Sequence, residues 1–259
     1  MLAIKKKTFF QETMNIIHIQ NCSSTNIYLK ELAQQEKLEE GIVVSTTRQT
    51  AGRGQQNNSW ESEDGKNITF SMLLCPDFLP LNQFFLLSEA ISLGIKDTLS
   101  NYTENISIKW PNDIYYKDQK VCGILIENEL NGNRFSQSVV GIGLNVNQEL
   151  FTSNAPNPVS LKQITGENFD LVILLDEVLR NCLNWYEKLK QGQIQIIENS
   201  YFNSLYWNKD LHSYKDSSGI FQATIEKVAP DGHLHLRIEN GESRSYAFKE
   251  VEFYRKEQQ

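Results

Sequence analysis

Arg48-Gln49-Thr50-Ala51-Gly52-Arg53-Gly54-Gln55-Gln56-Asn57-Asn58-Ser59-Trp60 follows directly on a short apolar strand, Gly41-Ile42-Val43-Val44-Ser45. Two glycines flank an arginine in this loop. Lacking Cβ atoms, they let the backbone turn sharply and approach a ligand closely. The guanidinium between them is a planar, permanently charged fork suited to a carboxylate or a phosphate. Beyond them, Trp60 offers a flat apolar face on which a heterocycle can stack. An anion reader and a ring platform on one loop describe a site for something both charged and flat. The same residues also describe an exposed turn with a solvated arginine and a core tryptophan. Gly-x-Gly decides nothing alone, since neither the P-loop pattern nor the third glycine of the dinucleotide fingerprint is present.

Two further clusters change that balance. Ile106-Ser107-Ile108-Lys109-Trp110 alternates like a strand and ends in Pro111-Asn112-Asp113. Asn112 and Asp113 therefore emerge at a strand end, where proline interrupts ladder pairing and turns the chain. After a short turn come Lys120, Gly123 and the strand Ile124-Leu125-Ile126-Glu127. The third cluster, Gly141-Ile142-Gly143-Leu144-Asn145-Val146-Asn147, closes an apolar strand that starts near Ser138.

Around these clusters the periodicities are mixed. Ile16 to Ile19 reads as a strand, and Ser23 or Ser24 can cap a helix running to about Gln35. Strands cover 41–47 and 67–75. A helix from Pro80 to about Ser100 carries Phe84, Leu87, Ala90, Ile91 and Ile95 at a 3.6 period. Three further strands follow between 106 and 146, then helices over Phe169–Lys190 and Ile194–Trp207. From Gly219 the texture changes to short strands and tight turns (Pro230-Asp231-Gly232, Asn240-Gly241), the punctuation of a small barrel. The expected class is α+β, a mixed sheet flanked by helices and followed by a small β-barrel. The boundary near Lys209 divides residues 14–208 from 209–259.

Composition excludes several alternatives. A chain of 259 residues suits one large domain plus a small one. A formal net charge of −7 argues against a general nucleic-acid binder, which carries a basic face. Cys22, Cys75, Cys122 and Cys182 are scattered without zinc-ligand spacing, in keeping with a reducing cytosol. Lys5-Lys6-Lys7 is not followed by an apolar signal core, and no apolar run is long enough to span a bilayer. The expectation is a cytoplasmic protein with no membrane partner.

Taken in order, Ser24-Thr25-Asn26, Gly52-Arg53-Gly54 with Trp60, Lys109-Trp110-Pro111-Asn112-Asp113, Lys120 with Gly123-Ile124-Leu125, and Gly141 to Asn147 resemble the signatures of the biotin protein ligases. The resemblance implies the class II synthetase-like biotin/lipoate ligase fold with an SH3-like C-terminal barrel. It implies a two-step reaction: biotin and ATP give biotinyl-5′-adenylate and pyrophosphate, and a lysine of a biotin carboxyl carrier protein then takes the biotin. Arg53 and Lys120 are the implied catalytic cations at the carboxylate–phosphate junction, although on its own Lys120 reads as a solvated turn lysine. Biotin is implied to contact Ser24, Thr25, Asn26, Gln49, Arg53, Gly54, Gln55, Lys120 and Gly123, with Ser24 free to act as a helix cap as well. ATP or the adenylate is implied at Arg53, Trp60, Asn112, Lys120 and Asn145, and Mg²⁺ at Asp113, for which a structural turn aspartate is the competing reading. The Gly-Arg-Gly…Trp and Lys-Trp-Pro-Asn-Asp pair favours biotin over lipoate.

The sequence departs from the family pattern twice. Gln55-Gln56-Asn57 stands where many members carry a second basic residue and then a glycine, which removes a positive charge from the loop. Too few residues precede Ser24 for the helix-turn-helix module of some members, so DNA binding is not expected. A homodimer through an edge strand is compatible with the resemblance.

Overall fold

The computed structural model describes residues 15–55, 58–153 and 156–255. Seven strands form one mixed sheet: β1 (Ile16–Cys22), β2 (Val43–Gln49), β3 (Ile68–Leu74), β4 (Ile106–Lys109), β5 (Asp113–Tyr116), β6 (Gln119–Asn131) and β7 (Arg134–Leu144). Their order is β1-β2-β3-β7-β6-β5-β4. Only β1 and β2 run parallel, and α1 (Thr25–Gln35) makes the crossover that such a pair needs.

Strand β3 is buried along its whole length, yet Ile68-Thr69-Phe70-Ser71-Met72 alternates apolar and polar side chains. A strand buried between two apolar layers reads as a near-continuous hydrophobic run. Alternation here marks the two faces of the sheet as different. On one face Val43, Phe70, Met72, Val140 and Ile142 join a large core with α2 (Phe85–Leu99) and α4 (Leu171–Lys190). On the other, Val44, Leu73 and Val139 make only a small core with Leu29 of α1. Further along that second face stand Thr46, Thr69, Ser71, Gly141 and Gly143. Each large apolar side chain buried on the first face contributes about 1.5–3 kcal/mol, so stability concentrates there. The second face is left for polar chemistry.

Helices α2 and α4 pack closely because Gly94 permits it; a Cβ there would lie 2.6 Å from the Cys182 backbone nitrogen. After α3 (Leu161–Thr165) and α4, α5 (Ile194–Ser204) leads into β8 (His212–Asp216), β9 (Gly219–Val228), β10 (Leu234–Ile238), β11 (Ser243–Tyr246) and β12 (Glu252–Phe253). These pair in the order β11-β10-β9-β8-β12, all antiparallel. Among the described residues no ladder joins β11 to β12, and the five antiparallel strands are consistent with the expected SH3-like unit. It docks through Leu234, Leu236 and Tyr214, which share the large core. The Trp110 indole N–H donates to the Gly232 carbonyl at 2.9 Å, and the Phe85 amide to that of Pro230 at 3.0 Å.

Four differences from the sequence expectation have local causes. Four strands, not three, lie between 106 and 146, because Pro111 and Asn112 make a turn and the chain re-enters the sheet at once as β5. Helix α2 starts at Phe85, after a 3₁₀ turn at Leu81–Gln83. Ser24 occupies the N-cap position of α1, but its side chain makes no capping bond. Helix α3 was not foreseen, although Ser160 and Gln163 form a reciprocal capping box and Gly166 ends the helix at φ 81°.

Glu89 on α2 is 1% exposed, and its Oε2 atom has no hydrogen-bond partner. Burial first, then the neighbouring charge of Glu198, pushes its carboxyl well above the usual range. The folded protein therefore holds Glu89 neutral while the unfolded chain ionises it, so rising pH above the carboxylate range draws the equilibrium toward unfolding. Glu89→Gln is expected to raise the thermal midpoint near neutral pH, with the gain shrinking as the pH falls into the carboxylate range. Melting curves of both proteins across pH check this.

Candidate functional site

The strand registers line up Thr46, Thr69, Gly143, Gly123, Asp113 and Lys109 as one row across the sheet. The two glycines leave a bare patch in that row, and the Trp60 indole lies over it. A Cβ on Gly123 would stand 2.9 Å from the indole, and one on Gly143 would overlap the ring outright. The indole Nε1 is buried without a hydrogen-bond partner.

The loop carrying Trp60 continues the β1–β2 pairing, with the Thr50 and Ala51 amides donating to the Cys22 and Ser23 carbonyls. Arg53 then sits opposite Ser59 in an antiparallel bridge, and the Trp60 amide donates to the Gly52 carbonyl at 2.9 Å. Neither Gly52 nor Gly54 has a positive φ. Gly52 is needed for space: a Cβ would meet the Trp60 carbonyl and come within 2.7 Å of the Gln49 amide nitrogen. Close approach replaces the sharp turn expected of these glycines. Gln56 and Asn57 lie outside the described residues.

At the polar end of the sheet, the Ser71 hydroxyl lies 2.7 Å from Thr25 Oγ1 and 2.5 Å from Asn26 Oδ1. Gln49 Oε1 accepts from the Thr25 amide at 3.0 Å. Asn26 Nδ2 donates to Glu127 Oε2 at 2.8 Å, and the same carboxylate pairs with Lys30 at 2.8 Å and Arg53 at 3.1 Å. Burial raises the Glu127 pKa, but hydrogen bonds from Lys30 and Asn26 and the charges of Lys30 and Arg53 outweigh it and hold the carboxyl below its usual range. Sequence reading assigned Glu127 no role. The signal was there: Gly123, Leu125 and Glu127 alternate onto one face of β6.

Lys120 is the second residue of β6, not a turn lysine. The register with β5 shifts so that Tyr115 faces Lys120 while Ile114 faces Cys122, which makes Val121 a bulge. A bulge re-aims side chains along its strand, and this one lets Lys120 and Gly123 share a face despite their odd spacing. The ammonium reaches Asp113 Oδ1 at 2.7 Å and stands 5.6 Å from the Trp60 ring centre. Asn112 is pinned to β6, its amide donating to the Ile124 carbonyl at 2.6 Å. Lys109 donates to the Tyr115 hydroxyl at 3.1 Å and sits near the rings of Tyr115 and Phe253. Burial pushes its pKa down, with Asp113 opposing and Lys120 and Arg255 adding to the effect.

A cavity of about 480 Å³ joins these groups. Ser24, Thr25, Asn26, Gln49, Arg53, Gly54, Gln55, Trp60, Asn112, Asp113, Lys120 and Gly123 all line it. Asn145 does not; it lines an adjoining cavity of about 260 Å³ that also touches Trp60 and Lys120. Its Oδ1 is a buried acceptor without a partner, while its amide donates to the Val159 carbonyl at 3.2 Å. Phe248 and Val251 of the β11–β12 connection, with Phe253 of β12, complete the larger cavity, a contribution with no recognisable sequence motif. Among the described residues no group of three or more His, Cys, Asp or Glu is able to hold a metal alone, and no helix is long and apolar enough to cross a membrane.

A helix-flanked mixed sheet followed by a small antiparallel sheet is the architecture of the biotin ligase fold. Residues 18–145 match the family model for the biotin/lipoate A/B protein ligases. The chain is 33% identical over 174 residues to the bifunctional ligase/repressor BirA of Bacillus subtilis, spanning 64% of this chain and 51% of that protein. It is 30% identical over 171 residues to BirA of Escherichia coli. The chain spans about half the length of the BirA proteins it matches. In three dimensions it resembles the biotin protein ligase of Aquifex aeolicus solved with biotin and ATP, with a TM-score of 0.76 at 26% identity, covering 93% of this chain and 99% of that one.

The glycine floor gives a direct test. Gly143→Ala forces a methyl group into the Trp60 ring and is expected to destabilise the fold by about 1–3 kcal/mol, the usual cost of overpacking. In a Trp60→Ala background the same substitution should cost far less. A double-mutant cycle by chemical denaturation measures that coupling.

Proposed function

We propose that the chain is an ATP-dependent biotin protein ligase, forming biotinyl-5′-AMP and passing biotin to a lysine of a biotin carboxyl carrier protein. The observation that supports this best is the convergence of Arg53, Lys120 and Trp60 on one cavity floored by Gly123. In this reading residues 14–208 bind biotin and ATP, and residues 209–259 form the C-terminal unit whose Phe248, Val251 and Phe253 wall the cavity.

The first step brings a carboxylate against the α-phosphate of ATP, two anions that repel. Catalysis of such a transfer rests on positioning and charge neutralisation. Lys120 and Arg53 supply the positive charge, each held in place by a carboxylate partner, Asp113 and Glu127. The biotin carboxylate oxygen bonds to the α-phosphorus and pyrophosphate leaves. The carrier lysine amine then attacks the acyl carbon of the mixed anhydride and AMP departs. Ser24, Thr25, Asn26 and Gln49 are the polar groups for the ureido end of biotin, with Gly54, Gln55 and Gly123 close to its path. Trp60 stacks on adenine, and Asn112 and Asn145 read its edge; the unpartnered Oδ1 of Asn145 suits an amine donor. Asp113 is the one carboxylate of the row, and magnesium needs only one or two carboxylates besides substrate phosphates. It would hold an Mg²⁺ arriving with ATP, whose charge eases the approach of the two anions.

Biotin-dependent exchange of pyrophosphate into ATP tests the reading, with lipoate as the comparison acid. Exchange with biotin and none with lipoate is expected. Lys120→Ala should lower it by about 100- to 1000-fold, the loss that follows removal of one preorganised stabilising group. Exchange independent of biotin, or unaffected by Lys120→Ala, would contradict the assignment.

A further inference from the structure

Glu61 follows Trp60 and was given no role by the sequence. Its carboxylate takes the Thr152 amide at 2.9 Å on Oε1 and 3.1 Å on Oε2, the Thr152 hydroxyl at 3.1 Å, and the Ser153 amide at 2.8 Å. Gln148 extends the same seam. It is 1% exposed, accepts from the Glu63 amide and the Asn67 side chain, and donates to Glu61 Oε1 at 3.3 Å. Asn67 Oδ1 then takes the Val146 amide at 2.9 Å, and the Asn147 amide donates to the Lys66 carbonyl at 2.8 Å. The segment after Trp60 and the segment after β7 are thus bonded together from residue 67 outward to residue 61. Trp60, Glu61, Asn145, Phe151 and Ser153 border the 260 Å³ cavity between them.

We propose that Glu61 is a positioning residue for nucleotide: it clasps the 152–153 backbone to the Trp60 loop, so that the ring platform and the opposite wall of the adenine cavity form as one unit. This rests on the ligase reading above. The described residues of the wall between β7 and α3 carry no helix or strand, and the Thr152 and Ser153 amides bond to the Glu61 carboxylate. A carboxylate satisfying both holds the wall in place. Burial works against ionisation of Glu61, but the donors of Ser153 and Thr152 outweigh it and keep its carboxyl below the usual range. The carboxylate is engaged by these donors at the Trp60 side of the cavity, whereas Asp113 and Lys120 pair with one another at 2.7 Å. The clasp therefore predicts an effect on nucleotide and not on biotin, since Thr25 and Asn26, proposed above for its ureido end, bond instead to Ser71.

The test compares Glu61→Ala and Glu61→Gln with the native chain by calorimetric binding of a non-hydrolysable ATP analogue and, separately, of biotin, together with hydrogen exchange at residues 148–153. With the wall no longer held against the Trp60 loop, Glu61→Ala should weaken the analogue about tenfold or more. Biotin affinity should stay within about twofold, since it makes no contact with the clasp. Exchange at 152–153 should quicken, and Glu61→Gln, keeping one acceptor oxygen, should fall between. Faster exchange with unchanged nucleotide affinity would reduce the clasp to a structural tie and overturn the proposal. Equal weakening of both ligands would overturn it as well. Nucleotide binding by the native chain without biotin-dependent pyrophosphate release would instead count against the ligase reading alone.

Discussion

The pleat of the central sheet gives each strand two faces, and the rest of the structure follows from what β3, β6 and β7 put on them. Large aliphatic and aromatic side chains go to the face packed by α2 and α4. Threonine, serine and glycine go to the other. Bulky residues at Gly123 and Gly143 would fill the space where Trp60 now lies. A single-residue slip of register would exchange the two faces, so the packed core that stabilises the sheet also fixes which atoms the cleft presents.

Electrostatics adds a second layer. The cleft cations are not loose: Arg53 docks on Glu127, and Lys120 on Asp113. Partly buried pairs of this kind contribute little net stability, because desolvation offsets attraction. Their effect is geometric, since each carboxylate holds a cation aimed into the cavity where an incoming anion can share it. Lys30 and Asn26 support Glu127 from α1, linking the helix that covers the small core to the loop that carries Arg53.

Much of this was legible in the sequence, for identifiable reasons. The strand ends with Gly-Arg-Gly, Pro-Asn-Asp and Gly-x-Gly marked residues that line the cavity, because special backbone and charge chemistry interrupts apolar periodicity there. The helices at 171–190 and 194–204 followed from spacing alone. Strand β5 was hidden because Pro111 reads as the end of pairing, while the chain turns and resumes at Asp113. The position of Lys120 depended on a bulge at Val121 that no local pattern announces. Glu127, Ser71 and the C-terminal Phe248 and Phe253 reach the site through pairings far apart in sequence, which periodicity does not report. Helix α3 was legible in Ser160, Gln163 and Gly166 and was overlooked.

The central claim is that ligand binds on the glycine-floored face between α1 and the Trp60 loop. Hydrogen exchange with a stable biotinyl-adenylate analogue, read peptide by peptide, tests it most directly. Protection is expected over the first turn of α1, residues 49–55 and 58–60, and residues 120–127. Protection confined to the groove between the C-terminal end of α1 and α4, or no protection at all, would contradict the account.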